Sequence, residues 1–361
     1  MKIGIVTITN NGCNYGNQLQ NYAVKKIYEK MGCDVKTLYN IDGAEYQVSL
    51  SHRIKNYLYI ILKHATSFER EREEKFRAFG NKYLNYTRPF RYKNIRSVLK
   101  EKFDYISVGS DQVWNPYFKC NEIHIDYLLL SFVNSEKRIA LSASMGVSEL
   151  PKSLEKRYQE ELCKYSGISV RENTAQSYLE RILEKKVNLI IDPTLMLSRE
   201  EWNRVSVKPK RYNNKEKYIL TYFLGEKSKF VEKDLRYFMD LGFRVFNFCD
   251  INDKDMFVNG PSEFVYMISH ASCVLTDSFH ASVFSFIYGI PFYVYDRNDA
   301  EENMSSRFET LFDLFDLHNH YRKNVNEVDI QECNYEKGYM QLEKEKAKVI
   351  EFLENIINRK S

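Results

Sequence analysis

Polar residues that directly follow an apolar run mark the places where this chain can carry chemistry. The densest example follows the apolar run Cys273–Thr276, where Asp-Ser-Phe-His leads into an apolar helix. The histidine there is His280, and an unperturbed histidine has a pKa near neutrality, so it can move protons at cellular pH. We predict His280 as a catalytic residue, with a structural histidine as the alternative. His270 lacks such a junction and is predicted to be a surface or interface residue.

A second segment, Val108–Pro116, places a carboxylate, two amides and a tryptophan within a few positions. Open α/β sheets bind ligands at the carboxyl ends of their strands. Asp111 is predicted to fix a sugar hydroxyl or to act as a base, with Gln112 beside it, and Trp114 is predicted to cover the face of a sugar or an enol. The alternative is that Ser110 and Asp111 cap a helix and that Trp114 is a core residue.

The third segment is the polar loop Asn10–Gln18, which follows the first apolar run and leads into a helical stripe. Glycines let backbone amides approach an anion, and the start of a helix offers unpaired N–H groups and a favourable dipole. The loop therefore suits a phosphate or a carboxylate, with a tight structural turn as the alternative. It is neither a Gly-x-Gly-x-x-Gly fingerprint nor a P-loop. Its candidate ligands are Asn14, Gly16, Asn17 and Gln18.

Two arginines are candidates for holding an anion. Arg171 follows the apolar run Ile168–Val170, and a guanidinium there can bind a carboxylate or a phosphate with two hydrogen bonds. A surface ion pair with Glu172 is the alternative. Arg307 lies at the predicted start of a Leu/Phe-rich helix, from which it can face a cleft. Asp192, which precedes a proline, is predicted to be only a turn residue.

Asp253 and Asp255 match the Asp-x-Asp pattern with which many sugar transferases hold a divalent cation. So short a motif arises easily in a chain with 28% charged residues. We therefore predict no metal ion and no cofactor.

Composition excludes several classes of protein. The net charge of +4 is too small for a dedicated nucleic-acid binder. The 43% of hydrophobic residues suffice for a packed interior, and the seven cysteines are too widely spaced to suggest a metal site or a disulfide framework. The longest apolar run, Val283–Tyr295, contains Gly289 and Pro291 and is too short to span a bilayer. A cytoplasmic globular protein is predicted.

Apolar runs alternate with helical periodicity along the chain, which is typical of parallel strands joined by crossover helices. The fold class is therefore α/β. The predicted strands are Lys2–Thr7, Val35–Tyr39, Tyr105–Val108, Arg138–Ser142, Gly167–Val170, Val187–Ile191, Tyr218–Tyr222, Arg244–Phe248, Cys273–Thr276 and Phe292–Tyr295.

The strands divide into two sets, which predicts two domains of residues 1–165 and 166–330. Residues 335–358 have helical spacing of apolar side chains and predict a C-terminal amphipathic helix. Residues 53–83 form a predicted helical arm of the first domain. We expect the arm to pack on that domain; weak contact of its apolar and basic side chains with an anionic membrane surface is the alternative.

Six motifs occur in register from the first strand to about residue 315. They are Gly-x-x-x-Gly-Asn-Gln, Val-Gly-Ser-Asp-Gln-Val-Trp-Asn, Ser-Val-Arg-Glu, Ile-Asp-Pro-Thr, Thr-Asp-Ser-Phe-His and Asn-Met-Ser-Ser-Arg-Phe. Together they resemble the polysaccharide pyruvyl transferase family. The resemblance implies a fold similar to GT-B glycosyltransferases, with two Rossmann-like domains facing a cleft, the N-terminal one on the acceptor side and the C-terminal one on the donor side.

The same resemblance implies transfer of pyruvate from phosphoenolpyruvate to a hexose of a cell-surface polysaccharide or its precursor, as a cyclic ketal. A lipid-linked acceptor at the inner face of the membrane is compatible with this reaction. His280 and Asp111 are the implied catalytic residues. The implied donor-binding residues are Arg171, Arg307, Ser278, Gly16 and Asn17, and the implied acceptor-binding residues are Asn14, Gln18, Gln112 and Trp114.

One position departs from the family pattern. Better-known members have an arginine two residues before this histidine, where it helps to hold the donor, whereas Ser278 stands here. Either Arg171 and Arg307 carry the whole anionic load, which we favour, or this branch uses another donor. A sugar-nucleotide-dependent glycosyltransferase and a catalytically inactive scaffold of the same fold are the alternative functions.

Overall fold

The computed structural model of the protein describes residues 1–9, 12–42, 67–117, 125–210, 212, 217–297, 305–325, 327–330 and 333–358. The chain forms two compact units. Unit 1 comprises Met1–Ser67, Arg77–Met196 and Glu345–Ser361, and unit 2 comprises Phe68–Phe76 and Leu197–Lys344.

Unit 1 is built on a parallel sheet in the strand order β2-β1-β3-β4-β5-β6. Its strands are β1 (Lys2–Val6), β2 (Asp34–Thr37), β3 (Tyr105–Val108), β4 (Arg138–Ala143), β5 (Gly167–Val170) and β6 (Asn188–Leu189). The helices of this part of the chain are α1 (Tyr15–Lys30), α2 (Ser67–Tyr83), α3 (Ile95–Leu99), α4 (Lys152–Leu162) and α5 (Asn173–Leu183). Apolar side chains of β1, β3, β4 and β5 and of α3, α4 and α5 form one core cluster.

Unit 2 is built on a parallel sheet in the order β10-β9-β7-β8. Its strands are β7 (Tyr218–Tyr222), β8 (Arg244–Asn247), β9 (Cys273–Thr276) and β10 (Phe292–Val294). The helices that follow α5 are α6 (Arg199–Asn203), α7 (Lys229–Asp240), α8 (Lys254–Phe257), α9 (Pro261–Ser269), α10 (Phe279–Tyr288), α11 (Ser305–Phe315) and α12 (Glu336–Ile357).

Local sequence explains where several helices begin and end. The Asn14 side chain caps α1, and Pro261 occupies the first turn of α9, where its missing N–H costs nothing. Helix α10 ends at Gly289, whose φ of 73° lies in the left-handed region that glycine adopts without strain. These signals fix the start of α1, the start of α9 and the end of α10.

The sequence predictions for the elements hold in most respects. Each predicted strand is confirmed with small shifts of its ends, and α12 confirms the C-terminal helix. The α/β fold class with two Rossmann-like halves is also confirmed. The domain boundary near residue 165 is wrong, because β5 pairs with β4 and β6 with β5, so Met196 is the last residue of that part of unit 1.

Residues 53–66 of the predicted arm lie outside the described residues, so both the packing of this segment and the alternative of membrane contact stay predictions. Residues 67–83 form α2, which confirms a helix there, and Phe68–Phe76 belong to unit 2 rather than to the first domain. Among the described residues, no helix is long and apolar enough to cross a membrane.

We predict that Gly167→Ala destabilises unit 1. A Cβ at Gly167 would overlap the end of the Ile356 side chain and lie 3.2 Å from Phe352 Cε2. Overpacking of this kind costs about 1–3 kcal/mol of the free energy of unfolding, which denaturant titration measures. The double variant Gly167→Ala/Ile356→Ala tests the cause. If the two substitutions destabilise additively, with no relief in the pair, steric overlap is not the reason.

Candidate functional site

In unit 1 the strand order reverses between β1 and β3, since β2 lies on the other side of β1. Ligands of open α/β sheets bind at the carboxyl ends of the strands at such a point. Asn17 of α1 and Asp111, which follows β3, meet there: Asn17 Nδ2 donates to Asp111 Oδ2 over 3.1 Å. The structure thus brings together two of the predicted site residues that lie far apart in the chain.

The first turn of α1 is fixed by amide side chains. Asn14 Oδ1 accepts the Asn17 backbone N–H at 3.0 Å. Gln20 Nε2 donates to Thr7 Oγ1 and to the Asn17 carbonyl oxygen, at 3.0 and 3.1 Å. These bonds orient Asn17 toward Asp111. Gln20 was not predicted as a site residue, because it lies inside the helical stripe and no turn residue marks it.

Two further predicted residues lie on the same helix. Gly16 is buried in its first turn. Gln18 is half-buried, and its side chain is hydrogen-bonded to Tyr86. Burial raises the pKa of the Tyr86 phenol to about 12, although the Gln18 hydrogen bond lowers it. Tyr86 is therefore neutral at cellular pH.

The backbone of Asp111 is held in an unusual conformation. Its φ of 76° lies in the left-handed region, which is costly for a residue with a Cβ. The Asp111 carbonyl oxygen accepts the backbone N–H groups of Val113, at 2.7 Å, and Ser144, at 3.0 Å. Strain that is stabilised by specific contacts occurs preferentially at functional sites, which supports Asp111 as a site residue.

Arg171 is enclosed in the same network, with a side chain that is only 1% exposed. Its Nη1 lies 2.5 Å from Asp192 Oδ2 and 3.1 Å from Ser110 Oγ, and its Nη2 lies 3.7 Å from Asp111 Oδ1. Burial opposes the charged guanidinium, but the neighbouring carboxylates outweigh it, and the pKa of Arg171 is raised. Arg171 therefore stays cationic and orients Asp111.

Glu172 is also buried, so the alternative of a surface ion pair between Arg171 and Glu172 is wrong. Its Oε1 accepts the Ser144 hydroxyl and, at 3.3 Å, the Gly146 N–H. Asp192 does make the predicted turn, because Oδ1 accepts both the N–H and the hydroxyl of Thr194, at 2.9 and 2.6 Å. Its other oxygen pairs with Arg171, a contact that the Asp-Pro turn signal does not reveal.

Gln112 and Trp114 turn inward after Asp111. Gln112 Oε1 accepts Asn115 Nδ2 at 2.7 Å, and a Cβ at Gly146 would approach Gln112 Cδ to 2.8 Å. Trp114 is 0% exposed, and its Nε1 donates to the Leu128 carbonyl oxygen at 3.3 Å. A fully enclosed indole offers no face to a sugar, so Trp114 is a core residue and its predicted acceptor-binding role is wrong.

Unit 2 has its own reversal of strand order, between β7 and β9. Asp277, which follows β9, accepts the backbone N–H groups of Leu224 and Gly225, both at 2.8 Å. Its Oδ2 also lies 3.0 Å from Arg297 Nε. The backbone amides that could hold a ligand anion at this place are thus occupied by a carboxylate of the chain itself.

His280 lies in the first turn of α10 and is buried. The rings of Phe279 and His280 meet edge to face at 5.5 Å between centroids, and the Arg307 guanidinium lies 5.8 Å from the centroid of Phe279. The structure therefore brings His280 and Arg307 to the same aromatic ring. An arginine beside the start of a helix favours an anion there.

Ser278 occupies the N-cap position of α10, but its side chain does not cap the helix. Its backbone N–H donates to Thr276 Oγ1 at 3.0 Å, and its carbonyl oxygen accepts the Ser282 hydroxyl at 3.1 Å. Arg297 was not predicted as a site residue. Its Nη2 donates at 3.3 Å to the carbonyl oxygen of Asp277, the residue before Ser278. No local sequence signal relates Arg297 to this strand end, because the pair is formed by the fold.

The predicted site residues therefore fall into two groups. Asn14, Gly16, Asn17, Gln18, Asp111, Gln112 and Arg171 belong to unit 1, and Ser278, His280 and Arg307 belong to unit 2. Asp253 lies elsewhere in unit 2 and caps α8, since its carboxylate accepts the N–H groups of Met256, at 3.3 Å, and Asn247, at 3.1 Å. Among the described residues, no group of three or more His, Cys, Asp or Glu side chains is placed to hold a metal ion.

Known structures share this two-sheet architecture. A Listeria monocytogenes protein classed as a UDP-N-acetylglucosamine 2-epimerase is similar over 99% of this chain and 89% of its own, with a TM-score of 0.53 and 10% identity. The UDP-GlcNAc 2-epimerase of Neisseria meningitidis is similar over 98% and 99%, with a TM-score of 0.47 and 12% identity. No curated protein matches the sequence. The fold is of the GT-B type.

The sequence narrows the class of protein further than the fold does. Residues 14–299 match the model of the polysaccharide pyruvyl transferase family. This range includes the α1 start, Asp111, Arg171 and His280. The chain therefore belongs to that family, which is one of transferases acting on polysaccharides, with a sugar or polysaccharide as the acceptor.

We predict that Arg171→Lys lowers the free energy of unfolding of unit 1 by about 1–3 kcal/mol, because an ammonium group cannot replace the contacts to Asp192, Ser110 and Asp111 together. Denaturant titration measures the loss. The matched control is Arg181→Lys, since the Arg181–Glu149 pair is exposed and should change stability by less than about 0.5 kcal/mol. Equal effects of the two substitutions would contradict the role given to the buried network.

Proposed function

We propose that the protein transfers pyruvate from phosphoenolpyruvate to two hydroxyl groups of a sugar, in a polysaccharide or its precursor, and forms a cyclic ketal. The observation that carries the proposal is the position of His280 in the first turn of α10, with Arg307 beside the same aromatic ring. Membership of the pyruvyl transferase family supports it. A proton carrier and a fixed cation are the two groups that this donor requires.

The reaction begins with a proton transfer from His280 to the methylene carbon of phosphoenolpyruvate. The adjacent carbon becomes an oxocarbenium-like centre, to which one sugar hydroxyl adds. The C–O bond to phosphate then breaks, phosphate leaves with the bonding electrons, and the second hydroxyl closes the ring. Of the two hydroxyl protons, one restores the proton on His280 and the other leaves with phosphate.

Arg307 is the donor anchor that we favour in unit 2, with Ser278 at the same strand end. Its guanidinium offers paired donors to the carboxylate or the phosphate of the donor. Arg171 is enclosed and already bound to Asp192. We therefore propose that it acts on the donor through the positions of Asp111 and Asn17, and not by direct contact.

Unit 1 supplies groups suited to sugar hydroxyls. Asp111 accepts one hydrogen bond from Asn17, and a carboxylate has further lone pairs for a hydroxyl donor. We propose that Asp111 fixes an acceptor hydroxyl and takes the proton that then leaves with phosphate. Asn14, Gln18 and Gln112 are proposed as further acceptor contacts, and Gly16 and Asn17 as backbone and amide contacts to the donor.

Ligand binding and product analysis test the proposal directly. Thermal-shift measurements with phosphoenolpyruvate, UDP and GDP should show stabilisation by phosphoenolpyruvate alone. With a sugar acceptor, mass spectrometry should show the addition of one pyruvate less one water. Stabilisation by UDP or GDP alone would indicate a glycosyltransferase, and no response to any of the three would indicate an inactive scaffold.

We predict that His280→Ala lowers kcat by about 10²-fold or more, because it removes the proton carrier. The control is His270→Ala. His270 is exposed at the end of α9 and stacks on Tyr266, so the same substitution there should leave kcat unchanged. A folded His280→Ala protein with near wild-type turnover would rule out this role, and circular dichroism checks the fold of both variants.

We also predict that EDTA leaves the rate of pyruvyl transfer unchanged. The proposed steps place the anionic charge on guanidinium and amide groups, and Asp253 is engaged as a helix cap. The measurement is turnover before and after chelation. Loss of activity that Mg²⁺ or Mn²⁺ restores would contradict the proposal and favour a metal-dependent glycosyltransferase.

A further inference from the structure

A cavity of ≈ 530 Å³ lies at the carboxyl end of β10 and the start of α7 in unit 2. Its volume is in the range that holds a small organic ligand. Its lining includes Ser228, Phe230, Lys233, Asp296, Arg322 and Lys323. None of these residues takes part in the mechanism proposed above, so pyruvyl transfer gives the cavity no role.

The cavity lies on a different face of the sheet from His280. Helix α7 packs its Val231 and Phe238 against Leu275 and Tyr293 in one apolar cluster, and α7 also supplies Phe230 and Lys233 to the cavity. Helix α10 lies on the opposite face, where Phe284 packs against Phe264 of α9. Helix α7 connects β7 to β8 and α10 connects β9 to β10, which run in opposite directions along the sheet. Right-handed crossovers in opposite directions place their helices on opposite faces.

One wall of the cavity is rigid. Arg322 Nε and Nη2 lie 2.6 and 3.1 Å from the two carboxylate oxygens of Asp234. Asp234 Oδ2 also accepts the Tyr295 hydroxyl at 2.8 Å. Both Arg322 and Asp234 are buried, so the wall is fixed before any ligand arrives. A site held in this way loses little conformational entropy on binding.

The groups that project beside this wall are cationic. Lys233 and Lys323 are exposed, and neither forms an ion pair with any residue that the structure describes. The Lys323 ammonium group lies 4.1 Å from the centroid of the Tyr321 ring. With Arg322 already neutralised by Asp234, these two ammonium groups outnumber the single carboxylate of Asp296. The cavity therefore favours a ligand with negative charge.

The cavity also has an apolar surface and hydroxyl partners. The Phe230 ring is 65% exposed, unusually high for an aromatic side chain. The C–H groups of a sugar ring can pack on such a ring. Asp296 can accept hydrogen bonds from sugar hydroxyls, and Ser228 can donate or accept them. Inorganic phosphate alone would use neither Phe230 nor Asp296.

We propose that this cavity binds a sugar phosphate, with the phosphoryl group at Lys233 and Lys323 and the sugar ring against Phe230. Two sources share this chemistry: a free sugar phosphate, and the sugar–phosphate end of a carrier-linked saccharide. The proposal goes beyond pyruvyl transfer, because it concerns a second site whose occupancy does not depend on that reaction.

The test is isothermal titration calorimetry of the full chain with glucose 1-phosphate, glucose and inorganic phosphate. Glucose 1-phosphate should bind more tightly than either fragment. The variant Lys233→Gln/Lys323→Gln should weaken its binding about tenfold, and Phe230→Ala should weaken glucose 1-phosphate without weakening phosphate. The matched control is Lys152→Gln/Lys156→Gln on the exposed side of α4, which removes the same charge and should leave the affinity unchanged.

A methyl diester of glucose 1-phosphate separates the two sources. Equal affinity for the diester and the monoester indicates a carrier-linked sugar, and loss of binding by the diester indicates a free sugar phosphate. The proposal is overturned if wild-type protein does not bind glucose 1-phosphate, if the Lys233→Gln/Lys323→Gln variant binds it unchanged, or if phosphate alone binds as tightly. Pyruvyl transfer is not measured in this experiment, so either proposal can fail alone.

Discussion

The guanidinium of Arg171 joins three strand ends in unit 1, through Asp192 after β6, Ser110 after β3 and its own place after β5. Burying a carboxylate in protein is expensive unless a cation lies beside it, and Asp111, Glu172 and Asp192 are all buried near this one arginine. The position of Asp111 depends on that charge. Because Asp111 in turn accepts Asn17, the orientation of the α1 start depends on it as well.

The two units share a feature at the carboxyl ends of their strands. Each parallel sheet has one point where the strand order reverses, and in each an aspartate of the chain lies there: Asp111 in unit 1 and Asp277 in unit 2. Asp277 takes two backbone N–H groups that would otherwise attract an anion. A ligand anion at this strand end would therefore need side chains or the start of α10 to hold it, and Arg307 lies beside that helix.

Local pattern was enough to predict the strands, the C-terminal helix and the junction at His280, because apolar runs and turn residues act over a few positions. Pairing between distant segments was not predictable in this way. The run Gly167–Val170 looks the same whether it begins a second sheet or continues the first, and only its hydrogen bonds to β4 decide. The burial of Trp114 and the contacts of Arg171 to Asp192 and of Asp277 to Gly225 likewise arise from the assembled fold.

The C-terminal helix α12 has a consequence for the order in which the protein forms. Its residues Phe352 and Ile356 contact Gly167 at the start of β5, and the Ile356 carbonyl oxygen accepts the Tyr105 hydroxyl at 3.2 Å. A ribosome makes β1 through β6 first and the last residues of α12, from Glu345 on, only after Leu197–Lys344 of unit 2. The apolar surface at the start of β5 therefore stays exposed until Phe352 and Ile356 have been made. During synthesis that surface is open to aggregation until residue 356 has left the ribosome.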